Sequence, residues 1–229
     1  MKPFITILLA LFSTNMYAQC EQAFFSFDEG ATFEYTSYDK RGREDGKNIT
    51  KILKVEGNEA FVHAELHDKD GKKIVDNEYT VLCEGDRIKI DFRQFAVGNL
   101  NDKSAKDAEI IMEGDFMELP NDLTPGQELP EAKGTVTIKV EGAPMNMTNE
   151  ISINRTVDGK ETITTPAGTF ETYRLSETTT SSMNMMGMRR TVTGYSKTWV
   201  AKGVGMVKSE TYQKNGRLLS YSLLTAFSK

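Results

Sequence analysis

Two small groups of side chains in this sequence are of types that do chemistry. The first is His63-Ala64-Glu65-Leu66-His67. On a β-strand alternate residues share a face, so His63, Glu65 and His67 point one way with neighbouring side chains ~7 Å apart. Imidazole and carboxylate together suit zinc or copper, which makes these three a candidate metal set. The spacing is not that of the helical zinc-protease motif, in which Glu directly follows the first His. The competing reading is a solvated strand face, with Ala60, Val62, Ala64 and Leu66 on the opposite parity. The chain has only two histidines, and a working site needs converging ligands with supporting partners. The solvated face is therefore the preferred reading, and no cofactor is expected.

The second group is the methionines. Met183, Met185, Met186 and Met188 fall in one short run, and Met145 and Met147 precede them. Thioethers are soft ligands that select Cu(I). They also line adaptable apolar surfaces, because an unbranched side chain repacks around varied shapes. Ordinary core filling is the third reading. Met145, Met147, Ile151 and Ile153 share one strand parity and would form a continuous apolar stripe. Large exposed apolar patches are unusual in soluble monomers, so something must cover it. A helix from residues 93–108, an opposite sheet arm or a ligand would each serve. Met145, Met147, Ile151, Ile153, Met183, Met185 and Met186 are thus the candidate contacts of an apolar ligand, with Gly187 as a break that would make the Met-rich segment a flap.

Signals of catalysis are otherwise missing. There is no Gly-x-Ser-x-Gly elbow, no phosphate-cradling loop and no dinucleotide fingerprint. Asp68-Lys69-Asp70-Gly71 has too few spaced oxygen ligands for a calcium loop. No catalytic residue is assigned, and the chain reads as a non-enzyme. The net charge is −5, with both signs interspersed. That excludes the basic patch that nucleic acid requires and electrostatic docking on anionic lipid.

These side chains need elements to position them, and the elements read as strands nearly throughout. Ile88, Ile90 and Phe92 alternate with polar neighbours, as do Val136, Ile138 and Val140. One apolar and one wet face is the pattern of antiparallel sheets. Turns carry a Gly where a hairpin needs positive φ, at Gly42, Gly71, Gly159 and Gly216. In Pro166-Ala167-Gly168-Thr169, Pro presets the first corner and Gly suits the left-handed one of a type II turn. Residues 101–107 admit a short helix, and 120–131, with three of the six prolines, read as an extended connection. The fold expected is mainly all-β: a long curved antiparallel sheet or half-barrel built of hairpins, with at most one or two short helices. It forms a single domain over residues 19–229.

Residues 1–18 are the leader. Lys2 precedes a short apolar run, Phe4 to Phe12, and Ala18 ends the segment. This is the layout of a secretory signal peptide, too short in its apolar core to span a bilayer. Cleavage after Ala18 would leave 211 residues with no later transmembrane segment. Cys20 follows at once, but Gln19 is long and polar where a lipidation signal needs a small residue. Export to the periplasm or beyond, without a lipid anchor, is expected. The only other cysteine is Cys83, and an even count in an exported chain favours a Cys20–Cys83 disulfide. Closing a loop of roughly 60 residues would contribute about 4 kcal/mol on the chain-entropy model.

Three segments then carry a resemblance. Phe25 to Tyr38 (FSFDEGATFEYTSY), Thr165 to Tyr173 (TPAGTFETY) and Trp199 to Glu210 (WVAKGVGMVKSE) occur in that order. Together they resemble exported bacterial proteins of the TapB-like group, long known as a domain of unknown function. The resemblance spans nearly all of residues 19–229. It implies a curved antiparallel half-barrel like that of lipoprotein-carrier proteins, and it brings no catalytic residues. Two functions fit. One is binding of an apolar small molecule or lipid on the sheet. The other is a structural or interaction module that pairs with an envelope protein through exposed strand edges.

Overall fold

The computed structural model describes residues 22–91, 108–140, 147–185 and 188–229. Every regular element among them is a strand. In chain order these are β1 (Thr32–Asp39), β2 (Glu44–Glu56), β3 (Glu59–Asp68), β4 (Lys73–Glu84), β5 (Arg87–Asp91), β6 (Ala108–Gly114) and β7 (Phe116–Pro120). There follow β8 (Glu128–Val140), β9 (Met147–Thr165), β10 (Gly168–Met185), β11 (Met188–Ala201), β12 (Gly205–Tyr212) and β13 (Leu218–Ser228). They make one sheet in the order β6-β8-β9-β10-β11-β12-β13-β1-β2-β3-β4-β5-β7, with antiparallel neighbours throughout. The sheet curls until its two ends nearly meet, giving a barrel-like wall. The expected all-β architecture is what forms. The helix expected over 101–107 falls outside the described residues.

Alternation decides which face turns inward. Ala60 and Val62 on β3 are fully buried or nearly so, as are Ile52, Val81, Ile88, Val157, Val207 and Leu224. Cross-strand partners share a face, so the ladders carry this inward face round the wall. Val62 sits opposite Ile52 on β2, Val157 opposite Leu175 on β10, and Tyr35 on β1 opposite Leu224 on β13. These residues form one apolar cluster inside the curl. Tyr35 adds a hydrogen bond from its hydroxyl to the Met206 carbonyl, 3.0 Å away, which satisfies a polar tip that burial would otherwise penalise.

The chain before β1 closes this core at one end. Ala23 and Phe24 are buried. The Gly203 amide donates to the Ala23 carbonyl at 2.8 Å, and Phe24 meets Tyr173 edge-on at 5.6 Å between centroids. Gly205, at φ 99°, lets the backbone pass: a Cβ there would stand 3.5 Å from the Phe24 carbonyl oxygen. The Gly203-Val204-Gly205 turn thus makes a close backbone approach to the N-terminal segment.

Two turn expectations are corrected. Gly42, Gly71 and Gly216 do take positive φ at hairpin ends, but Val157-Asp158-Gly159-Lys160 is no turn. It lies inside β9, whose pairing with β10 shifts by one residue between Arg174 and Leu175. The extra residue is Asp158, whose carboxylate accepts from Arg174 Nε at 2.9 Å and from Ser176 Oγ at 2.7 Å. A bulge re-aims a side chain in this way. At the β9–β10 hairpin, Thr165 pairs with Gly168, so Pro166 and Ala167 take the corners and Gly168 opens β10 at φ 141°.

The connection 121–127 runs from β7, one end of the sheet, to β8 beside the other. The proline-rich segment ties the two ends of the wall together.

Candidate functional site

The His-Glu-His set lies on the outer face of β3, opposite the buried Ala60 and Val62. The structure does not bring the three together as one group. His63, Glu65 and Asp76 of the neighbouring β4 converge, with ligating atoms all within 4.8 Å of one another. His63 Nε2 is 2.6 Å from Asp76 Oδ1. His67 turns aside: its Nε2 meets Glu65 Oε2 at 3.0 Å and its Nδ1 lies 3.3 Å from the Gly71 carbonyl. Lys73 donates to Glu65 Oε1 at 3.1 Å and also bonds Asp76. Hydrogen bonds from His67 and Lys73 hold Glu65 below the usual carboxylate range, and those from Lys73 and His63 do the same for Asp76. The donor types fit a divalent cation. The Lys73 ammonium already pairs with both carboxylates, so a metal would have to compete with it.

The inner face of β9 holds the apolar stripe. Val157, Arg155, Ile153, Ile151, Asn149 and Met147 share the core parity, so Asn149 interrupts the expected stripe. Ile153 is buried and Met147 and Ile151 are partly so. Ile153 and Ala132 of β8 form a second apolar cluster with Ile151 and Met117. Met117 belongs to β7, so the covering group is the opposite arm of the curl. Met145 and Met186 lie outside the described residues, as does the side chain of Met185.

Between the two clusters sits a charged belt that the sequence reading missed. Arg155 is 4% exposed. Its Nη2 donates to the carbonyls of Glu118 on β7, at 2.8 Å, and Pro130 on β8, at 3.2 Å. Pro130 is available because the β8–β9 pairing shifts between Leu129 and Ala132. With the Asp115 amide donating to the Lys133 carbonyl at 2.8 Å, this side chain joins the ends of the wall. Arg155 Nε is buried with no hydrogen-bond partner among the described residues. Across the ladder Arg155 faces Glu177 on β10, whose Oε1 accepts from Ser196 Oγ at 3.3 Å and Thr179 Oγ1 at 3.4 Å. Burial pushes the Glu177 carboxyl above its ordinary value, against the pull of Arg155. The signal was available: Arg155 interrupts the parity of Ile151, Ile153 and Val157, and Glu177 continues that of Tyr173 and Leu175.

Beyond the belt, β9, β10 and β11 extend past the packed core as an arm. Its inner parity carries Ile151, Met183, Met188 and Val192 together with the polar Asn149, Thr179, Ser181 and Arg190. Ser181 pairs with both Ile151 and Val192, and Met183 with Arg190. Met183, Met188 and Val192 are 39%, 68% and 54% exposed. The outer parity is polar: Ser152 bonds Glu131, Arg189 bonds Glu150 and Ser182 bonds Thr191. The arm's exposed apolar side chains thus lie on its inner side, interspersed with polar ones. A separate cleft of about 500 Å³ lies by Phe24, Lys160, Glu171, Tyr173 and Lys202. Its lysines are engaged, Lys160 over the Tyr173 ring and Lys202 near Asp122.

The profile of a family described as DUF3108-like matches residues 28–224. The chain belongs to the DUF3108-like family. TapB-like, the name drawn from the sequence motifs, is not the description that matches. Two solved structures share the DUF3108-like chain's fold. One is a putative exported protein with YmcC-like fold from Bacteroides fragilis NCTC 9343, 24% identical over 90% of this chain and 99% of its own, at a TM-score of 0.69. The other is a putative lipoprotein from Parabacteroides distasonis ATCC 8503, 21% identical over 90% of this chain and 98% of its own, at 0.70. No curated protein matches. At these identities the likeness speaks to fold alone.

Proposed function

We propose that this chain is an exported, non-enzymatic envelope protein that binds an apolar ligand on the inner face of the β9–β11 arm. The exposure of Met183, Met188 and Val192 on the same face as the core carries the reading. Apolar side chains left open to solvent on the inward side of a sheet suit a binding surface. Methionines there and at Met117 and Met147 suit a surface that reshapes around its guest. A hydrophobic fluorescent probe tests it. Saturable binding is expected, and Val192→Asp or Met147→Asp should weaken it at least tenfold while the melting temperature stays near that of the parent. Absence of saturable binding would leave the structural-module reading standing.

Export rests on the leader and on the names of the two relatives, one called exported and the other a lipoprotein. Intact mass of the secreted protein decides between a free and an anchored form. An N-terminus at Gln19 is expected, and a diacylglycerol adduct on Cys20 would show the anchored one.

A further inference from the structure

We propose that His63, Glu65 and Asp76 form a binding site for a divalent transition ion, zinc in the first place, on the outer face of β3 and β4. The site lies on the other side of the wall from the inner face of the arm and does not depend on the apolar-ligand reading. Its geometry is close to that of a ligand set. Atoms bound to a tetrahedral zinc at ~2.0–2.1 Å stand ~3.3 Å from one another. His63 Nε2 is 2.6 Å from Asp76 Oδ1 and 4.0 Å from Glu65 Oε1, and one ligating atom from each of the three residues lies within 4.8 Å of the others. These separations bracket the one required, so small side-chain rotations would close them on an ion. The His63 and Glu65 side chains are 27% exposed and that of Asp76 is 52% exposed. One side is therefore open for entry and for a water in the fourth position.

The remaining carboxylate oxygens orient the set. Asp76 turns Oδ1 to His63 while its Oδ2 accepts from the Lys73 ammonium. Glu65 turns Oε1 towards His63 while its Oε2 meets His67 Nε2 at 3.0 Å. Each carboxylate is thus held from outside by one partner and presents its other oxygen to the same point, as supporting groups do around metal ligands. His67 is a positioning residue here and not a ligand: it stands four residues from His63, ~13 Å along the strand. Lys73 also reaches Glu65 Oε1 at 3.1 Å. That single bond is what an ion must displace, and the ammonium can keep Asp76 Oδ2 when it does so. The surroundings add no net charge. Glu78 of β4 and Lys51 of β2 stand opposite His63 on its two sides, and Lys47, opposite His67, pairs with Glu34 at 2.8 Å. An imidazole beside two carboxylates suits zinc, whereas calcium and magnesium favour shells of oxygen alone.

The test titrates the tag-free exported chain, stripped of metal, with zinc near neutral pH in a calorimeter. One zinc ion per chain is expected to bind saturably, and neither magnesium nor calcium. His63→Ala and Asp76→Asn should each abolish this binding. His67→Phe, which removes the group that holds Glu65, should weaken it about tenfold. Lys73→Met should tighten it severalfold, because the competing ammonium is gone. All four replace partly or fully exposed side chains, and an unchanged melting temperature checks that each variant folds. A surface ion-pair network with no metal role predicts no saturable zinc binding by the parent chain, and that result would overturn the proposal. Parent-like affinity in His63→Ala, or weaker binding in Lys73→Met, would overturn it as well.

Discussion

Single side chains set the local electrostatics at the hairpin ends and the belt. Asp39 accepts from the Arg41 and Arg43 amides at 2.8 and 3.0 Å and from Arg43 Nε at 2.8 Å. These contacts, Arg43 first, hold its carboxyl at about 2, against an ordinary 3.8. A depressed carboxylate stabilises the fold above the unfolded value, and that contribution disappears as pH falls through about 2. Carbon-detected NMR titration should place Asp39 there, and Arg43→Ala should return it towards the ordinary range. Cys83 is buried on β4, and no free cysteine occurs among the described residues; Cys20 lies outside them. Non-reducing peptide mapping of the exported protein is expected to find Cys20 linked to Cys83. Two alkylated thiols would refute the bridge, and Cys83→Ser should lower the melting temperature.

At the scale of elements, strand parity distributes stability unevenly along each strand. Leu224 is fully buried on β13, whereas Leu219 on the same strand is 40% exposed. Leu224→Ala removes atoms from a packed site and should cost about 2–5 kcal/mol. Leu219→Ala should stay within about 0.5 kcal/mol, as surface changes do. Urea unfolding of the two variants measures the contrast, and equal losses would contradict the inward assignment of this face. The β9 bulge at Asp158 shows a second element-level effect. The one extra residue lets β9 run on unbroken, and its carboxylate is spent on Arg174 and Ser176.

Across the whole molecule, Arg155 bridges the seam between β7 and β8. It supplies two hydrogen bonds there, and bonds to a charged donor are worth ~1.5–3 kcal/mol each. Arg155→Met should lower stability by on the order of 3 kcal/mol. It should also speed amide exchange in β7 more than in β12, which is paired on both sides. Equal acceleration in the two strands would show that the seam is held by something else.

Much of this was legible in the sequence because alternation is local. The residues that face inward on β3 and the parity shared by Met147, Ile151 and Ile153 follow from a period of two, and the hairpin glycines Gly42, Gly71 and Gly216 from the positive φ their turns need. The glycine in Val157-Asp158-Gly159-Lys160 misled for the same reason: a bulge and a turn share residue types, and the partner strand decides between them. What only the tertiary structure decided is where distant residues meet. Asp76 and Lys73 join His63 and Glu65 because β3 pairs with β4. Arg155 and Glu177 become a facing pair because β9 pairs with β10. Met117 covers Ile153 because the sheet curls until its ends meet. Local pattern chooses the inward face; closure of the curl determines which charges and apolar groups that face brings together.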